Sequence, residues 1–175
     1  MTKRKSIFLG KSELHFNDQK VKGETVTLEG ELFYKISNFD KMCPFFMSVV
    51  SHSDHWLFIS STGALSAGRI NSNYALFPYY TDDKISEAFE TTGSKTIFLI
   101  DHEDRKCLWE PFSKLYANVY HIERNLYKNS LGSKLIFEEI NHDLELSYKY
   151  SWAVSEKYGF VRTSVLQSNS SESKT

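Results

Sequence analysis

The chain of 175 residues contains only two cysteines, Cys43 and Cys107, and no Cys-x-x-Cys spacing joins them. Zinc-ribbon and dithiol redox chemistry are thereby excluded. Each cysteine sits among apolar neighbours, so both are expected as buried free thiols. Proline occurs three times and glycine eight times, without clustering into a linker, so nothing divides the chain. An excess charge of one sign is also missing: 21 Lys and Arg stand against 22 Asp and Glu, a formal charge of -1. No net field draws the protein to phosphate backbones or acidic membrane surfaces, which argues against nucleic acid as a partner. No apolar run approaches the roughly 18 residues of a spanning helix. The basic start Thr2-Lys3-Arg4-Lys5 is followed by too short an apolar stretch for a signal peptide. The expectation is a cytoplasmic protein without a membrane partner.

Aromatic residues, by contrast, are abundant: 13 Phe, 10 Tyr and 3 Trp make up 15% of the sequence. With 41% apolar content, this composition suits one core built from strands, whose pleated surfaces pack aromatic and β-branched side chains. Alternation is clearest at Leu144, Leu146, Tyr148, Tyr150, Trp152 and Val154, the pattern of a long half-buried strand. The preceding segment from Lys134 to Ile140 reads as a second strand, joined to it through the turn-forming Asn141-His142-Asp143.

Further strands are expected at Thr25 to Leu28, Leu32 to Ile36, Phe45 to Val50, Trp56 to Ser60, Thr96 to Asp101, Val119 to Tyr127 and Phe160 to Leu166. The helical candidate is Asp82 to Phe89, with Thr81 or Asp82 as cap and Ile85 and Phe89 on one face. The fold class is therefore all-β, an antiparallel β-sandwich with one or two short helices. It would form a single domain over residues 1–167, followed by a disordered polar tail over 168–175.

Several polar constellations bear on function. Ser51-His52-Ser53-Asp54-His55 carries two imidazoles and a carboxylate, but its position between apolar strands reads as a turn, and no metal site is assigned. The segment from Ser60 to Asp83 is chemically specialised: small residues allow close backbone approach, Arg69 offers a planar fork of donors, and Asn71 and Asn73 offer amides. It lacks the Gly-x-x-x-x-Gly-Lys pattern of a phosphate loop. Two readings remain, a structural loop tying the sheet edge to its neighbours, or a sugar-contacting surface using Arg69, Asn71, Asn73, Tyr79 and Tyr80. Carboxylate doublets at Asp82–Asp83 and Glu138–Glu139 read as solvated charges, because adjacent residues on a strand face opposite ways, and the Asp101 and Glu103 pair likewise reads as solvated charge. No Ser-His-Asp or Cys-His order accompanies them, and no catalytic residue is assigned. A mutarotase-type enzyme would need a convergent histidine and carboxylate, for which His121 and Glu123 are the candidates.

Three motifs in order carry a resemblance: Ser53-Asp54-His55-Trp56-Leu57-Phe58-Ile59-Ser60, Gly63-Ala64-Leu65-Ser66-Ala67-Gly68-Arg69 and Ala75-Leu76-Phe77-Pro78-Tyr79-Tyr80. Downstream, Phe98 to Asp104, Leu108-Trp109-Glu110-Pro111 and Tyr158-Gly159-Phe160-Val161-Arg162 extend it. Together they resemble the opening β region of cellobiose-phosphorylase-type glycoside phosphorylases. The resemblance implies part of a galactose-mutarotase-like super-sandwich that precedes a catalytic (α/α) barrel. It further implies phosphorolysis of β-glucosides without metal or organic cofactor, by a catalytic acid lying in the barrel rather than in this region. A noncatalytic carbohydrate-binding or structural domain follows as the expectation, with a carbohydrate ligand, a homodimer mate or the barrel as partner. Family sandwiches continue for about a hundred residues more, so Tyr148, Tyr150 and Trp152 are expected to present an uncovered apolar face, and the final strand an open edge.

Overall fold

A computed structural model describes residues 6–16, 18–79, 81–102 and 104–170. Among the described residues thirteen strands follow one another: β1 (Ile7–Leu9), β2 (Ser12–Leu14), β3 (Lys22–Leu28), β4 (Glu31–Ser37), β5 (Phe46–Val49), β6 (His55–Ser60), β7 (Leu65–Arg69), β8 (Phe98–His102), β9 (Arg105–Trp109), β10 (Ile122–Asn129), β11 (Lys134–Asn141), β12 (Leu146–Ser155) and β13 (Gly159–Ser168). One short helix, α1 (Asp82–Ile85), and a 3₁₀ turn at Ala88–Glu90 occupy the expected helical segment. All pairings are antiparallel. The largest sheet has six strands in the order β13-β12-β11-β10-β4-β3, and a three-stranded sheet β5-β6-β7 and the β8-β9 hairpin pack on it. The sandwich-like all-β architecture expected from sequence is what is observed, and no helix among the described residues is long and apolar enough to cross a membrane.

Period-2 alternation explains the core. Tyr148, Tyr150 and Trp152 of β12 and Leu135 and Phe137 of β11 share the inward face, and Leu57, Ile59, Leu65 and Ala67 meet them from the smaller sheet. Phe137 and Tyr150 are cross-strand partners, and their rings stack at 4.8 Å. The apolar face expected to lie open is thus covered within this chain: Tyr148, Tyr150 and Trp152 are all buried, because β5 to β9 supply the second layer. The final strand does form an edge of the large sheet.

Other expectations shift. Cys43 is exposed and Cys107 half-buried, so neither is a buried thiol. Cys43 falls in the loop before β5, where Met42 is exposed too, and Cys107 sits on a hairpin only partly covered by the core. Leu144 lies in the β11–β12 turn, with Glu145 at φ 50°, instead of beginning β12. Strand β13 runs through Ser168, one residue into the expected tail, and Asn169 donates its N–H to the Glu145 carbonyl. Residues 171–175 lie outside the described residues.

Candidate functional site

Alternation in β6 sends Leu57 and Ile59 inward and leaves Trp56 and Phe58 on the opposite face of the small sheet. Phe46 of β5 and Phe58 approach at 5.1 Å between ring centroids, Phe58 and Trp56 at 5.4 Å, and Tyr79 meets Trp56 edge-on at 5.7 Å. Four rings therefore run as a continuous strip across this sheet, with Phe46 and Tyr79 exposed at its two ends.

The strip depends on one glycine. Gly68 is the cross-strand partner of Trp56, and a Cβ there would stand 2.5 Å from Trp56 Cζ2 and 2.7 Å from the Tyr74 carbonyl oxygen. Residues 74–78 can consequently fold back along the open edge of β7. Leu76 and Phe77 donate their N–H groups to the Ala67 carbonyl, Ser66 Oγ donates to the Pro78 carbonyl, and Gly68 bridges Ala75. This return places Tyr79 beside Trp56.

Of the residues singled out in this segment, Arg69, Asn71, Asn73 and Tyr79 are all exposed and lie on or just beyond β7. Tyr80 lies outside the described residues. Arg69 Nε donates to His55 Nε2 across the β6–β7 pair at 2.9 Å. The hydrogen of His55 is thereby assigned to Nδ1, which is 2.6 Å from Ser53 Oγ. The Asn71 side chain accepts from Asn73 N and caps the 3₁₀ turn Ser72–Tyr74. Between Arg69 and Asn71, Ile70 sits at φ 59° beneath a bond from Asn71 N to the Arg69 carbonyl, a γ-turn of the strained hand. Arg69 and Asn71 thus each spend part of their hydrogen-bonding capacity locally. Of the expected turn Ser51 to His55, residues 52–54 form the bend, and His55 opens β6, engaged at both ring nitrogens.

The carboxylate doublets depart from expectation. Glu138 and Glu139 do face opposite ways, but neither is solvated. Glu139 accepts from Trp109 Nε1 at 2.8 Å, Phe112 N at 2.6 Å and Arg124 Nε at 2.7 Å, while Arg124 Nη2 donates to the Ser113 carbonyl. This knot anchors the loop after β9, where Phe112 adopts φ 65°. The same loop borders a cleft of about 340 Å³ with Tyr150, Phe137 and Thr62 in its walls. On the other face, burial raises the Glu138 carboxyl, but hydrogen bonds from Tyr127, Lys149 and Asn125 overcome it and hold the group below its ordinary 4.5. Burial and the Glu138 charge push the Tyr127 hydroxyl far upward in turn. Asp101 is exposed and paired with Lys106, as a solvated charge should be. Glu103 and the side chains of Asp82 and Asp83 lie outside the described set.

His121 meets Asp143 and not Glu123. Its backbone N–H reaches Asp143 Oδ2 at 2.7 Å and its Nδ1 reaches Oδ1 at 2.8 Å, while Glu123 accepts from Asn125. Burial raises the Asp143 carboxyl, and the two His121 bonds with the nearby His15 outweigh it, leaving the group below its ordinary 3.8. The His15 ring lies 3.7 Å from that of His121. Sequence reading missed this convergence, because its three members are far apart along the chain and His15 follows a hairpin too short to register as strands. Compared with protein families and with curated proteins, the chain matches none.

Proposed function

We propose that this chain is a noncatalytic carbohydrate-binding β-sandwich domain, related to the N-terminal region of cellobiose-phosphorylase-type enzymes, and that it takes β-glucosides on the aromatic strip of the small sheet. The observation that carries this reading is the strip itself, Phe46, Phe58, Trp56 and Tyr79, bordered by the exposed Arg69, Asn71 and Asn73. Apolar ring faces cover sugar C–H surfaces, and polar groups at the border supply orientation. The motif resemblance around Trp56, Gly68 and Tyr79 supports the same assignment.

A second reading, that the segment is purely structural and the domain completes or dimerises with an (α/α)-barrel partner, is favoured by the backbone bonds that residues 74–78 spend on the edge of β7. Thermal unfolding with cellobiose, glucose and phosphate, run beside light scattering, separates them. Binding predicts a melting temperature that rises with cellobiose, and loss of that rise in Tyr79→Ala and Arg69→Ala. A melting temperature indifferent to sugar, with concentration-dependent association, would overturn the binding reading in favour of the scaffold.

A further inference from the structure

We infer that His15, His121 and Asp143 form a binding site for a zinc-class divalent ion, independent of the carbohydrate reading and remote in sequence from the aromatic strip. Each residue offers one ligand atom, and the three atoms lie within 4.8 Å of one another, the only such trio of His, Cys, Asp or Glu among the described residues. Ligand atoms on one tetrahedral zinc stand about 3.3 Å apart, as bonds of about 2.0–2.1 Å require. Closing the remaining gap needs side-chain movements on the order of 1 Å. The His121 and Asp143 side chains, 58% and 38% exposed, have room to make them.

The backbone already holds the trio in place. His15 N–H donates to the Asn118 carbonyl at 2.8 Å, and His142 N–H donates to the His121 carbonyl at 2.9 Å, which fixes the β11–β12 turn carrying Asp143 against the start of β10. Two imidazoles and one carboxylate are the donor set that suits zinc and its neighbours better than calcium or magnesium, which prefer oxygen throughout. Three protein ligands leave a fourth position for water. Entry is open, since clefts of about 470 Å³ and 390 Å³ flank the trio on its two sides. His142 borders the first, and His102 and Cys107 border the second.

Such an ion has a structural consequence. The β1–β2 hairpin buries little, with Ile7, Phe8 and Leu9 all exposed, and His15 is where the chain leaving it joins the body of the fold. Coordination would clamp that junction to both β10 and the β11–β12 turn.

Titration of the metal-free full chain with zinc chloride by calorimetry, and with cobalt(II) followed by visible absorption, tests the inference. The expected result is one ion per chain, a tetrahedral cobalt band, and slower amide exchange over residues 12–16. His15→Gln, His121→Ala and Asp143→Asn should each weaken binding at least 10-fold, on the scale seen when a metal site loses supporting groups. His52→Ala, in the β5–β6 turn, should bind as the parent does. Far-UV circular dichroism of each metal-free variant identifies any that fails to fold, and His15→Gln, outside every strand, is then decisive by itself. Absence of binding by the parent chain, or undiminished binding by folded His15→Gln, would overturn the inference.

Discussion

Replacing Glu139 by Gln tests the tightest polar cluster of the fold. The carboxylate is 1% exposed and receives three N–H donors, from Trp109, Phe112 and Arg124. Glutamine retains one acceptor oxygen and turns an NH₂ group toward donors, so at least one N–H loses its partner and the Arg124 charge is left buried without its counter-ion. Removing one member of a buried pair costs about 3–5 kcal/mol, and the surviving oxygen places Glu139→Gln near the lower bound, about 3 kcal/mol. For a chain of this size, that corresponds to a fall in melting temperature of about 6–12 °C, or a urea midpoint lower by about 1–2 M. Arg124→Met should cost a similar amount alone, because it strands Glu139. In the double variant the two losses should fall short of additivity by more than about 1.5 kcal/mol, since the second change removes the charge the first had orphaned. Urea unfolding followed by far-UV circular dichroism measures all three. A single-variant loss under about 1 kcal/mol, or an additive double variant, would refute the view that this pair is a mutually dependent buried unit.

Three further outcomes are expected. Gly68→Ala forces a methyl group against Trp56 and the backbone of Tyr74 and Ala75, and should cost about 1–3 kcal/mol; an unchanged urea midpoint would show that the 74–78 return is not packed as described. Ile70→Gly relieves a left-handed conformation costing about 1–2 kcal/mol, less the chain entropy of glycine, for a net gain of about 0.5–1 kcal/mol. Ile70 is 67% exposed, so little burial is lost, and a decrease in stability would contradict the strained turn. Glu138 keeps its proton off more readily in the folded chain than in the unfolded one, so its stabilisation is present above its ordinary 4.5 and is lost as pH falls through its lower folded value. Glu138→Gln should therefore flatten the stability-versus-pH curve below pH 4.5, and an unaltered slope in that acid range would count against the network.

The strands that announced themselves in sequence are those with bulky residues on alternate positions. Strands β3 to β6, β8 and β10 to β13 appear within a few residues of the segments expected from sequence, β12 where Tyr148, Tyr150 and Trp152 placed it. Strand β7 did not announce itself, because Leu65-Ser66-Ala67-Gly68-Arg69 alternates small residues with one another and its character comes from partners. Ser66 and Gly68 face the large rings Phe58 and Trp56, and only the pairing makes small size meaningful. At the candidate site, the small residues and amides of the segment from Ser60 to Asp83 were legible from composition, and the structure places Gly68 against Trp56 and Asn71 as the cap of a 3₁₀ turn. The aromatic strip was not legible, because Phe46 and Tyr79 join it from segments on either side of β6. Glu139 was misjudged for the same reason, its donors Trp109 and Phe112 standing 30 and 27 residues away.

Strand β11 shows what buried carboxylates contribute to such a sheet. It occupies an interior position, between β10 and β12, and its adjacent Glu138 and Glu139 are each satisfied by a different set of partners on a different face. A slip by one residue turns every side chain of a strand to the other face. Phe137 would then leave its stack on Tyr150, and the two glutamates would exchange faces: in one direction Tyr127 and Lys149 would meet Phe137 in place of Glu138, and in the other Trp109 and Arg124 would meet Ile140 in place of Glu139. Hydrophobic burial alone tolerates some sliding, because Leu135, Ile136, Phe137 and Ile140 offer apolar surface on both faces. A slip by one residue in either direction therefore deprives Lys149 or the buried Arg124 of its carboxylate partner. The doublet, which in sequence looks like an unremarkable acidic pair, therefore adds a polar penalty for slipping to the one that burial of Leu135 and Phe137 already imposes.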